Sequence, residues 1–225
     1  MYQYPLKFTF PLFSVSPQFE ATDASGRVLF SASKKLLSSK DQISVTAGGK
    51  TYFKIISQES RITDIPSNWD VMNSSGKLLG VVNDDFLSAI DTSKFIKNDA
   101  GSMMLDMEIS RALNLRAVKM YWIKDAAGNK IGLIAPDQSS LYAQQLPLYD
   151  IVRKLPIFFR FITPRYYIRI GEETVLYMEK QRTWLQDTYV VQARGNFTDS
   201  DEPLLINSIV LAVLYERERL KELYT

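Results

Sequence analysis

The residues best equipped for recognition chemistry lie between Ile151 and Ile170. This stretch carries Arg153, Lys154, Arg160, Arg165 and Arg169 with no acidic residue, and sets Phe158, Phe159, Phe161, Tyr166 and Tyr167 among them. Cations beside aromatics suit an anionic membrane surface. Each nearby Lys or Arg contributes about 1 kcal/mol there, and rings lodge at the lipid–water boundary. Arg153, Lys154, Arg160, Arg165 and Arg169 are therefore candidate contacts for a lipid headgroup, with Phe158, Phe159 and Tyr166 as candidate interface aromatics. The same residue types could stack on nucleic acid and meet its phosphates, a partner that ranks below lipid here. The plain alternative is a set of strands whose alternation turns the rings inward and the arginines outward.

Other chemistries find little support. The chain has no His and no Cys, which removes Ser-His-Asp and Cys-His catalysis, thiolate or imidazole metal sites, and the commonest base near neutral pH. Asp84-Asp85 and Glu172-Glu173 are adjacent pairs, and neighbours on a strand point to opposite faces, so neither forms a local carboxylate dyad. Gly48-Gly49-Lys50-Thr51 resembles the end of a phosphate loop but lacks the earlier glycine. Asp199-Ser200-Asp201-Glu202 reads as a helix cap rather than a calcium site, because calcium takes six or more oxygens from a spaced loop. No catalytic residue, metal or cofactor is expected, and the protein reads as a non-enzyme. Lys34-Lys35 with Lys40 reads as a solvated turn. Arg217 and Arg219 are expected to close one end of the fold by pairing with carboxylates.

The element that must organise the rest is the apolar run Pro203 to Tyr215, thirteen residues with only Asn207 and Ser208 as clearly polar side chains. Asp199, Ser200 and Asp201 are capping types, Pro203 fits a first helical turn, and carboxylates there suit the positive end of the helix dipole. A helix apolar on all sides is enclosed or sits in lipid, and this run is shorter than the roughly 20 residues a bilayer needs. Leu204, Leu205, Ile206, Ile209, Val210, Leu211, Val213 and Leu214 are thus expected to be the core of a central helix. No transmembrane span and no signal peptide are expected, which points to a cytoplasmic protein, at most peripheral at a membrane.

Around that helix the chain reads as strands. Leu6 to Phe10 alternates apolar and polar residues. Asp23-Ala24-Ser25-Gly26, Asn73-Ser74-Ser75-Gly76 and Asp125-Ala126-Ala127-Gly128 each precede an apolar run, with Ile170-Gly171-Glu172-Glu173 as a shorter version. Gly supplies the backbone freedom such turns need, while Asp or Asn bonds its own backbone. Further strands are expected at 51–57, 103–109, 118–123, 166–170 and 188–192. A short helix is expected within 84–97 and a loop with a helical turn over 135–155. No Gly-, Ser- or Pro-rich linker divides the chain, so residues 1–225 read as a single domain. A sheet closed into a barrel leaves no exposed edge, and the apolar helix can fill its lumen.

The DxxG-type hairpins, the strand Glu172 to Lys180, the following Trp184 to Val191 and the terminal Leu204 to Arg217 resemble, in that order, the Tubby C-terminal-like superfamily. Within it the likeness is to the LURP-one-related and phospholipid-scramblase-like branch, and it covers nearly the whole chain. The resemblance implies a mainly β fold, a closed antiparallel β-barrel of about twelve strands around a central hydrophobic C-terminal α-helix. It also implies docking on phosphoinositide or other anionic headgroups by a binding or regulatory module. Palmitoylation cysteines and a Pro-rich arm are absent from this sequence, which argues against scramblase activity. The alternatives are a protein-interaction scaffold without lipid affinity and, third, a small-ligand carrier or barrel enzyme, which would need an open lumen.

Overall fold

The computed structural model describes residues 1–11, 17–35, 38–60, 68–84, 120–137, 165–181 and 187–222, with side chains to Glu218. Twelve strands lie among them: β1 (Leu6–Thr9), β2 (Gln18–Thr22), β3 (Val28–Lys34), β4 (Gln42–Ala47), β5 (Lys50–Ser57), β6 (Asn68–Asn73), β7 (Leu78–Asn83), β8 (Tyr121–Asp125), β9 (Lys130–Pro136), β10 (Arg165–Ile170), β11 (Glu173–Gln181) and β12 (Thr188–Ala193). Consecutive strands pair antiparallel, and β12 returns to β1 through Leu6↔Val191 and Phe8↔Tyr189, closing the barrel. Helix α1 (Glu202–Glu222) fills it. All eight expected core residues of α1 are buried, six of them to 0% exposure.

Alternation explains the packing. Along β1 and β2, Leu6, Phe8, Phe19 and Ala21 face inward, and the Phe8 and Phe19 rings stack 4.9 Å apart across the pair. Closure gives every strand two partners, so backbone groups that an open sheet would leave bare are bonded. The helix in turn covers an inner wall that would otherwise be wet. Each fully buried aliphatic side chain contributes about 1.5–3 kcal/mol, which is why α1 tolerates so few polar residues.

The two rims differ. The hairpins β2–β3, β4–β5, β6–β7, β8–β9 and β10–β11 all lie at one rim and use two to five linking residues. Three of them repeat one turn. At Asp23, Asn73 and Asp125 the residue's carbonyl accepts from the glycine N–H three positions on, and its side-chain Oδ1 accepts two further backbone N–H groups. Gly26, Gly76 and Gly128 hold φ of +82°, +81° and +87°, the left-handed residue of a three-residue hairpin with its bulge. Links at the opposite rim span six to thirty-seven residues.

Helix α1 enters at the tight-turn rim. Thr198 and Asp201 exchange contacts as a capping box, the Thr198 Oγ1 meeting the Asp201 carboxylate at 2.6 Å and the Asp201 N–H at 3.3 Å. Glu202, at 5% exposure, accepts the Tyr2 N–H at 2.9 Å and the Tyr4 hydroxyl at 3.0 Å, tying the start of the chain to the start of the helix. Its second oxygen accepts the same N–H at 3.1 Å.

Several expectations change. Strands β4 and β6 were not among those read from the sequence, although Ile43, Val45, Trp69 and Val71 alternate as buried residues. Strand β9 runs through Ala135 and Pro136 into the expected loop, because Pro136 ends the strand, where a missing N–H disturbs the ladder least. Lys34 is not in a solvated turn. It is 3% exposed, and its Nζ lies 3.2 Å from Asp41 Oδ2 and 2.6 Å from Glu218 Oε2, over the Tyr215 ring. The expected short helix (apart from Asp84), the strand at 103–109, Trp184 and the side chain of Arg219 lie outside the described residues.

Candidate functional site

The described part of the basic–aromatic stretch is β10. Its alternation places Arg165, Tyr167 and Arg169 on the outer wall and Tyr166 and Ile168 inside. Tyr166 is 5% exposed and packs in the core, so it is not positioned as an interface aromatic. Arg153, Lys154, Phe158, Phe159 and Arg160 lie outside the described residues.

Register on the neighbouring strands completes an outer patch. Tyr167 pairs with Tyr177 of β11, their ring centroids 5.4 Å apart, and Tyr177 pairs with Gln192 of β12. Beyond β12, the Arg194 guanidinium lies 5.5 Å over the Tyr177 ring, and its Nη2 donates to Gln192 Oε1 at 2.9 Å. Arg165 Nε lies 3.8 Å from Glu179 Oε2 on β11, both side chains substantially exposed. Burial raises the Tyr177 hydroxyl above its ordinary pKa; the Arg165 charge opposes this and Glu179 reinforces it. Arg169 is half-buried, and its Nε is enclosed with no hydrogen-bond partner. The patch thus reads Arg165, Tyr167, Tyr177, Arg194 down the wall, with Arg169 to one side and Glu179 as a carboxylate counterweight. Guanidinium forks bind phosphate oxygens in pairs, and an arginine already stacked on a ring loses less freedom when it does so.

Tyr177 and Arg194 were missed in the sequence because they belong to other strands. Counted from the turn at Gly171, Tyr167 would face Leu176; the bulge between Ile168 and Arg169 shifts the register by one and brings Tyr177 opposite Tyr167, which no local sequence signal announces.

The long-link rim is closed by a polar cluster. The Tyr215 hydroxyl donates to Asp41 and accepts from the Trp69 indole at 3.1 Å, while Lys34 bridges Asp41 and Glu218. Nearby, Arg217 Nε lies 3.7 Å from Asp187 Oδ2 with its guanidinium 4.3 Å over the Phe10 ring, and Lys180 Nζ lies 2.8 Å from Asp187 Oδ1. Arg217 therefore closes this end as expected, though by an aromatic face as much as by a carboxylate. Burial lowers its pKa and Asp187 partly restores it.

Among the described residues, no group of three or more acidic side chains is placed to hold a metal ion, and no helix is long and apolar enough to cross a membrane. No family model matches the sequence, and no curated protein matches it. Among solved structures, the chain is similar to a protein from Arabidopsis thaliana known by X-ray crystallography, at 12% identity and a TM-score of 0.48, over 96% of this chain and 92% of that one.

Proposed function

We propose that this protein is a Tubby-type, LURP-one-related barrel acting as a non-enzymatic binding module, and that its outer wall at β10–β12 docks on anionic phospholipid or phosphoinositide headgroups. The observation that carries the reading is the outward set Arg165, Arg169 and Arg194 around the Tyr167–Tyr177 pair. A twelve-stranded barrel whose lumen is occupied by an apolar helix is the architecture the sequence resemblance implied. Arg153, Lys154 and Arg160 precede β10 in sequence and would add charge to the same docking event.

The test is co-sedimentation with phosphatidylcholine vesicles with and without a phosphoinositide. Binding is expected only with the anionic lipid and should weaken as salt rises. Arg165→Glu combined with Arg194→Glu removes two contributions of about 1 kcal/mol each, so affinity should fall by about thirtyfold. Unchanged sedimentation of the double variant would eliminate the patch, and no sedimentation of the parent protein would favour the scaffold reading.

A further inference from the structure

Between α1 and the wall formed by β3, β4 and β5 lies a cavity of about 250 Å³ that opens at the tight-turn rim. Phe30, Val45, Phe53 and Ile206 form its sides, and Tyr52, at 51% exposure, stands at its mouth. No charged side chain lines it among the described residues.

One lining residue is out of character for an enclosed helix. Asn207 is 1% exposed, its Nδ2 donates to the Pro203 carbonyl at 2.7 Å, and its Oδ1 is buried with no hydrogen-bond partner. The donation fixes the amide orientation, since the flipped amide would set Oδ1 against a carbonyl oxygen. Its neighbour Ser208 differs, donating to the Leu204 carbonyl at 2.7 Å. A buried acceptor left open costs stability, and in a native fold such an atom calls for an explanation.

We infer that this cavity is a binding site for a small, neutral, mainly apolar molecule, and that its entry shifts the side chains covering Asn207 Oδ1 so that this atom accepts from one O–H or N–H donor on the molecule. An apolar cavity of about 150 Å³ holds benzene; in proportion this one holds about ten heavy atoms. The absence of a lining charge excludes an ionic headgroup from this position. The site is separate from the arginine patch and uses none of its residues, so either proposal can fail alone.

The probes are 2-naphthol, which has the donor, and naphthalene, which lacks it, titrated into the full chain and followed by amide chemical shifts. Shifts should concentrate at Ala47, Phe53 and Asn207, with 2-naphthol binding about five- to tenfold tighter than naphthalene. Asn207→Leu should bring the two affinities together. Ala47→Trp should fill the cavity and abolish both; Leu29→Trp, half-buried at the same mouth, serves if the first variant does not fold. Equal affinities in the parent protein, a preference that survives Asn207→Leu, binding that survives the filling variant, or no binding of either probe overturns the inference.

Discussion

Replacing Tyr215 by Phe asks whether the polar cluster at the long-link rim holds α1 in place or merely decorates its exit. The substitution keeps the ring, which lies 4.9 Å from Trp69 and beneath the Lys34 ammonium at 4.3 Å. It deletes one hydroxyl that serves two buried partners. The Trp69 indole N–H, at 0% exposure, loses its acceptor, and stranding such a donor costs about 1–3 kcal/mol. Asp41, at 3% exposure, loses a donor but keeps Lys34; a hydrogen bond to a charged group contributes about 1.5–3 kcal/mol. Some relaxation around a half-buried Tyr215 lowers the sum, leaving about 3 kcal/mol. With a urea slope of about 3 kcal/mol per M, the unfolding midpoint should fall by about 1 M at constant slope. Tyr4→Phe at the opposite rim provides the scale, since its hydroxyl serves only Glu202 among the described residues and the loss of that one hydrogen bond to a carboxylate should cost about 2 kcal/mol. Should Tyr215→Phe prove no more harmful than Tyr4→Phe, the cluster does not anchor the helix.

Other outcomes follow from the same geometry. Lys34→Met leaves Asp41 and Glu218 without their shared cation, and breaking a buried pair from one side should cost about 3–5 kcal/mol by chemical denaturation; a neutral result would mean water already reaches the cluster. Gly80→Ala places a Cβ against the Lys124 backbone carbonyl of β8 and 2.7 Å from a Leu204 methyl, so thermal melting should show a loss of about 3 kcal/mol from overpacking; a stable Gly80→Ala would mean that β7 can shift against both β8 and α1. The Asp23 and Asp125 carboxyls are held below 3.8, Asp23 chiefly by the Ser25 hydroxyl and Asp125 by the Asn129 amide. Their contribution is present above that value and disappears as pH falls through the depressed folded values, so stability should decline below about pH 4. Asn73 builds the same turn without a charge, and Asp23→Asn with Asp125→Asn should flatten that decline; an unchanged acid slope would refute the assignment.

The helix was legible because burial on all sides leaves a compositional trace: Pro203 to Tyr215 has no face for water. The repeated turns were legible because a left-handed residue demands glycine and the Asp or Asn before it bonds locally. Lys34 was not, since its partner Glu218 lies 184 residues away and a lysine beside another lysine looks solvated from sequence alone. Strand β6 was overlooked because only Trp69 and Val71 mark its inner face, too short an alternation to rise above its Asn and Asp neighbours. The outer patch was half legible: β10 announces its arginines, while Tyr177 and Arg194 join them only through register. The cavity left no trace beyond Asn207, because an unfilled space depends on side-chain size across four elements at once.

That β1 is sealed by β12 and the central filling comes still later has a consequence for assembly. While the chain is being synthesised, up to eleven strands can form hairpins with their neighbours, yet their apolar inner faces have nothing to grip until residues 204–214 emerge. Contacts between positions nearly two hundred residues apart must then form together, a pattern that slows folding and leaves greasy intermediates open to aggregation. A nascent ring of this kind depends on its last turns of helix in the way an arch depends on its keystone.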